Sequence, residues 1–130
     1  MFGDVHLCRF PFTDGQASKP RPVLVLFDLG TDAVVCRVTG KPAAGDLDIP
    51  IQGWAEAGLL KPSVARLDRI LTVDQGVLFR HLGRLGGQDL DKIRGAWNQS
   101  MRFVGRGMHP PDWIRMKMSG GHRLQAAGYR

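Results

Sequence analysis

Along residues 4–10, Val5 and Leu7 alternate with Asp4, His6 and Cys8, and this period of two predicts a first β-strand. Pro11 has no amide hydrogen to give to a ladder, so the strand is expected to stop at Phe10. Residues 11–20 carry Asp14-Gly15, Ser18 and Lys19 and predict a long loop. The loop ends at Arg21-Pro22-Val23-Leu24-Val25-Leu26, where a short β-branched run reads as a strand buried on both faces. A turn at residues 29–32 leads to a strand over 33–39, a Gly/Pro loop over 40–45 and a short strand at Asp48–Ile51. Residues 52–58 suggest a helical turn ending at Gly58, and Pro62-Ser63 introduces a longer strand to about Val73. A further short strand is expected over residues 79–82.

The period then changes. From Gln88 to Val104, Leu90, Ile93, Trp97, Met101 and Val104 recur at steps of three and four, the stripe of an amphipathic helix. Asp89 and Asp91 in its first turn and Arg102 near its end suit the macrodipole. Many short strands punctuated by Gly and Pro, followed by one helix, predict a mainly β small barrel with the helix covering one side.

Composition bounds this picture. A chain of 130 residues and 14.3 kDa suits one domain with its own core. No run is long enough to span a bilayer, and the N-terminus has no basic segment followed by an apolar one, so no membrane role and a cytoplasmic location are expected. Cys8 and Cys36 lie far apart and read as buried, reduced small hydrophobes. His6, His81, His109 and His122 fit no ligand spacing, so neither a metal nor a cofactor is expected. Residues 1–100 are nearly neutral, with 12 Lys and Arg against 11 Asp and Glu, whereas residues 101–130 hold six against one. That basic Gly/Pro-containing tail, residues 105–130, is expected to be mobile. It is either a phosphate-seeking arm or a solvated extension.

Chemistry concentrates at Arg21. Pro22 fixes its own φ and biases Arg21 toward an extended conformation, which presents the guanidinium at a strand mouth. On this segment alone the residue is either a site residue or a solvated edge residue.

Several separated pieces converge: Gly3-Asp4-Val5, Phe10-Pro11-Phe12, Arg21-Pro22-Val23-Leu24-Val25-Leu26, Arg37-Val38-Thr39 and Leu59-Leu60-Lys61-Pro62-Ser63-Val64-Ala65-Arg66-Leu67-Asp68. With Leu71-Thr72-Val73-Asp74 and Leu82-Gly83-Arg84-Leu85, in this order and spacing, the chain resembles the MazF/PemK toxin family over residues 3–104. The resemblance implies an SH3-like, MazF/CcdB-type barrel, a homodimer, and a metal-independent endoribonuclease of a toxin–antitoxin system that cuts single-stranded RNA at short motifs. It also implies 2′,3′-cyclic phosphate and 5′-OH ends, and an antitoxin that covers the RNA groove.

Arg21 and Thr39 match the family's catalytic arginine and threonine. The residue types suit the chemistry: RNA supplies its own 2′-OH nucleophile, the planar guanidinium can hold two phosphate oxygens, and a hydroxyl can donate to the same phosphate. Lys19, Arg37, Lys41, Ser63 and Arg66, with Arg69, are expected to grip the strand. Phe12 and Trp54 either stack bases or pack their own loops. Arginine is a poor base at neutral pH, which leaves His6 and Asp4 as candidate proton acceptors. Two features depart from the family pattern: Gly40 stands where members often carry Ser or Thr, and the tail lies outside it. The alternatives are a CcdB-like toxin that binds a protein target without chemistry, and an inactive relative that binds only antitoxin or RNA.

Overall fold

The computed structural model describes residues 1–9 and 19–101; Phe10, Phe12 and the basic tail lie outside them. Among the described residues, six strands form one antiparallel sheet: β1 (Asp4–Cys8), β2 (Arg21–Asp28), β3 (Asp32–Thr39), β4 (Asp48–Ile51), β5 (Ser63–Asp74) and β6 (Leu78–Arg84). One α-helix, α1 (Gly87–Ser100), follows, and a short 3-10 turn at Gln75–Val77 joins β5 to β6. The order across the sheet is β4-β5-β3-β2-β1-β6, and these elements belong to one compact unit, Met1–Ser100.

The apolar run of β2 sits in the middle of the sheet, where consecutive residues point to opposite faces. Val23, Leu24, Val25 and Leu26 are all buried, so both faces are covered, as the uninterrupted run predicts. On one face Val23 and Val25 pack with Cys8, Ala33, Val35 and Val73. Each buried valine of this set contributes about 1.5–3 kcal/mol. Cys8 and Cys36 are both buried thiols, and burial pushes the Cys36 thiol up to about 12.

Two irregularities shape the sheet. Between β3 and β5 the register jumps from Cys36↔Ile70 to Arg37↔Arg66, so β5 carries three extra residues. The jump frees residues 63–66 to pair with β4 as well, and the bulged Leu67 is fully buried while its amide donates to the Leu47 carbonyl at 2.8 Å. β6 makes two register shifts against β1. Pairing with β1 holds β6 in the sheet along residues 78–84, longer than the residue 79–82 stretch its own pattern suggests.

Residues 52–59 carry the chain from β4 to the start of β5. Ala57 N–H donates to Gly53 O, Gly58 N–H to Ala55 O and Leu59 N–H to Trp54 O, which is one helical turn closed by a Schellman motif. Gly58 has φ +86°, the left-handed conformation that this closure requires, and the helical turn ends there as the sequence indicates. A Cβ on Gly58 would strike the Leu82 carbonyl, and one on Gly83 would strike Ala57. The segment after β4 therefore lies against β6, the opposite edge strand. The ladder stays open, and the sheet is barrel-like through this backbone contact.

Helix α1 packs Ile93 into the core, sets Leu90 against Gly3 and places Trp97 edge-on to Phe27 at 5.4 Å. It ends at Ser100, short of the Val104 expected from the stripe, and Met101 has left it. Asn98, Gln99 and Ser100 add no apolar contact, and serine competes for backbone hydrogen bonds at helix ends. No helix among the described residues is long and apolar enough to cross a membrane.

Candidate functional site

A groove of about 710 Å³ opens where the start of β2, the end of β3 and the middle of β6 meet the loop before β5. Leu7, Pro22, Val38, Leu59 and Leu82 give it apolar walls, and Lys19, Arg21, Arg37, Lys41, Lys61 and Arg80 line it as well. No aspartate or glutamate is among its described lining residues. Six cations around one concave, partly apolar surface produce a positive field that attracts a polyanion.

Each lining residue has a structural reason to be there. Arg21 opens β2 opposite Cys8, at the extended position that Pro22 favours. Thr39 closes β3, and its Oγ1 accepts the Lys41 amide at 3.2 Å, which leaves the hydroxyl hydrogen to be donated elsewhere. The Ser63 hydroxyl instead donates to the Lys61 carbonyl at 2.8 Å, so it braces the turn and offers the groove lone pairs only. A Cβ on Gly40 would stand 3.0 Å from Lys61 Nζ, so the lysine occupies the space that a larger residue after Thr39 would take.

The sequence-expected residues divide clearly. Arg21, Thr39, Lys19, Arg37, Lys41 and Ser63 all line the groove. Arg66 and Arg69 do not; Arg66 Nε donates to Asp48 at 3.3 Å and lies 3.8 Å from Asp68. Trp54 lines an adjoining depression of about 480 Å³ that shares Gly40, Lys41 and Ser63 with the groove. Phe12 lies outside the described residues.

His6 and Asp4 are not among the groove-lining residues. They gather instead with His81 of β6, directly opposite His6, with donor atoms within 4.8 Å of one another. The spacing of histidines along the chain gave no sign of this group, because strand pairing assembles it. Burial and the neighbouring His81 lower the His6 pKa against the pull of Asp4. Burial would raise the Asp4 carboxyl, but the N-terminal ammonium, Arg84 and His81 together hold it below its ordinary value. Arg84 donates to Asp4 Oδ1 at 3.2 Å, so the one carboxylate of the group is already engaged by a cation.

Three residues escaped the sequence reading. Lys61 stands in the Leu-Leu-Lys-Pro-Ser run, but the run does not show that its side chain lies over Gly40. Arg80 reaches the groove because it pairs with Leu7, across most of the domain's length. Asp89, read as a helix-dipole residue, is 3% exposed and uses both oxygens to accept the amides of Gln52, at 3.0 Å, and Gly53, at 2.8 Å.

The fold and this groove define a small barrel-like domain with a cation-lined groove. Residues 1–101 match the family model of PemK-like, MazF-like toxins of type II toxin–antitoxin systems, and the chain belongs to that family. The Mycobacterium tuberculosis toxin MazF-mt6 is 24% identical, with 75% of this chain and 95% of that chain covered at a TM-score of 0.62. An endoribonuclease in complex with its cognate antitoxin, from a mycobacterial species, is 19% identical over 85% of this chain and 98% of that one, TM-score 0.63. MazF in a MazE–MazF structure from Deinococcus radiodurans is 18% identical over 79% and 95%, TM-score 0.60. No curated protein matches the sequence.

Proposed function

We propose that this toxin is a metal-independent endoribonuclease, and that its groove holds a single RNA strand across Arg21 and Thr39. The observation that carries the reading is the convergence of these two residues with five further cations on one groove lined without a carboxylate among the described residues. In the reaction, the substrate's 2′-oxygen forms a bond to the adjacent phosphorus while the bond from phosphorus to the 5′-oxygen breaks. The 2′-hydroxyl loses its proton and the departing 5′-oxygen gains one, leaving a 2′,3′-cyclic phosphate and a 5′-OH end. Because the nucleophile is internal to the RNA, the protein's task is to orient the strand and stabilise charge on phosphorus.

Arg21 keeps its charge throughout and grips two phosphate oxygens through its planar fork. Thr39, its oxygen already accepting from Lys41, donates its hydroxyl hydrogen to the same phosphate. Lys61, over Gly40, adds an ammonium where relatives often carry a hydroxyl. Lys19, Arg37, Lys41 and Arg80 hold the flanking phosphates. Family membership supports a homodimer and an antitoxin that covers the groove, and the structural neighbours include an endoribonuclease with its cognate antitoxin and a MazE–MazF pair.

The test is to incubate the protein and its Arg21→Ala variant with a long single-stranded RNA in excess EDTA and to map the fragment ends. Discrete cuts by the unaltered protein are expected, with a loss on the order of 10²-fold or more in the variant while it remains folded. Intact RNA from folded protein would replace this reading with a toxin that binds without cutting.

A further inference from the structure

We infer that the depression beside Trp54 is a seat for one unpaired nucleobase, next to the phosphate held by Arg21 and Thr39. The inference rests on the proposed RNA reading and adds to it a subsite and the residues that position it. The depression is walled by Trp54 together with Pro42, Pro50 and Pro62, a set of flat, apolar surfaces with little conformational freedom. Gln52 also lines it and supplies a side-chain amide able both to donate to and to accept from a base edge. Its volume of about 480 Å³ suits a small planar group.

Continuity selects the occupant. The depression and the cationic groove share Gly40, Lys41 and Ser63, so a strand whose phosphate rests on the Thr39–Lys41 turn meets Trp54 with an adjoining base. Phosphates on cations with a base on an aromatic ring is the arrangement by which single strands are bound.

The platform is also held in place at a cost. Asp89 is a nearly fully buried carboxylate, and it spends both oxygens on the amides of Gln52 and Gly53, 37 and 36 residues away in sequence. Burying a carboxylate is expensive unless it is fully hydrogen-bonded. What this one holds is the start of the helical turn that carries Trp54, and the Schellman closure at Gly58 fixes the turn's other end. Asp89 thus acts as a positioning residue for the Trp54 seat, through the start of the turn.

The experiment uses the full chain with two probes: single-stranded RNA for end mapping, and a 2′-O-methyl RNA of the same sequence, whose blocked nucleophile reports binding alone. Trp54→Ala is expected to weaken binding of the 2′-O-methyl strand by roughly 10- to 100-fold, the worth of one stacked base, and to relax the preference at one nucleotide beside the cut. Trp54→Phe should retain most of both, and Gln52→Ala, at an exposed position, should relax the preference at the same nucleotide. Asp89→Asn should raise KM and blur the same nucleotide preference with kcat retained, whereas a purely structural role would lower the melting temperature and leave the preference intact.

Cleavage with unchanged affinity and preference in Trp54→Ala and Gln52→Ala would overturn the seat and leave the nuclease standing. A protein that binds but never cuts, and binds more weakly without Trp54, would overturn the nuclease and leave the seat. If the unaltered protein does not bind the 2′-O-methyl strand, or if Trp54→Ala weakens only the grip of an antitoxin peptide, the seat is not a nucleobase site.

Discussion

The groove and the rest of the surface differ in the charges that line them. Around the sheet, Arg66 meets Asp48 and Asp68, Arg84 meets Asp4, Arg94 meets Asp91, and Arg9 lies 4.4 Å above the Phe79 ring. In the groove, six cations share a concave surface with no carboxylate among the described lining residues. Among the described residues the charges are therefore sorted, with none of the described acids lining the groove. Sorting of this kind raises like-charge repulsion in the free protein, and a polyanion relieves it. The difference lies in where the cations gather, and the groove is the surface that a polyanion can enter.

Arg66→Ala should break this comparison most visibly on the structural side. It removes a charged hydrogen bond to Asp48, whose side chain is only 8% exposed, and should lower stability by about 1.5–3 kcal/mol in urea unfolding. The salt dependence of RNA binding should stay unchanged in that variant. Lys61→Ala and Arg80→Ala should give the reverse result: near-native unfolding, with the slope of log affinity against log salt reduced by about one for each phosphate no longer held. Equal slopes in all three variants would mean that the groove is not where phosphates bind.

The smallest effect concerns the Asp4, His6 and His81 group. The folded His6 has a lowered pKa, so the unfolded chain takes up the proton more readily. Its stabilising contribution is present above the ordinary value of 6.5 and is lost as pH falls below it, and the lowered Asp4 acts in the same direction further into acid. Melting temperature should fall from pH 7 to pH 5, and His6→Gln should flatten that fall. An identical slope in the variant would remove His6 as its source.

What the sequence made legible follows the range of the interaction responsible. The apolar run after Arg21 marked β2, the threonine before Gly40 marked the end of β3, and Gly58 marked the end of its turn, because each depends on neighbours a few residues away. Arg21 and Thr39 were readable because Arg-Pro and Arg-Val-Thr are local motifs. Arg80, Asp89 and the meeting of His6 with His81 were not, since each acquires its role from a partner dozens of residues distant. Arg66 illustrates the same limit from the other side: its place beside Ser63 suggested the groove, and its register opposite Asp48 turned it to an ion pair.

The pairing of β6 with β1 also has a consequence for how the protein is born. Asp4 lies opposite Arg84 and Leu7 opposite Arg80, so the first strand to leave the ribosome waits for the sixth before its free edge is closed. At roughly 5–20 residues per second, several seconds separate the two. Arg80 and Leu82 are walls of the groove, so a nascent chain carrying Arg21 and Thr39 still lacks one side of the cavity in which they would act. The groove is therefore completed only when its sixth strand has been made, late in the synthesis of the described domain.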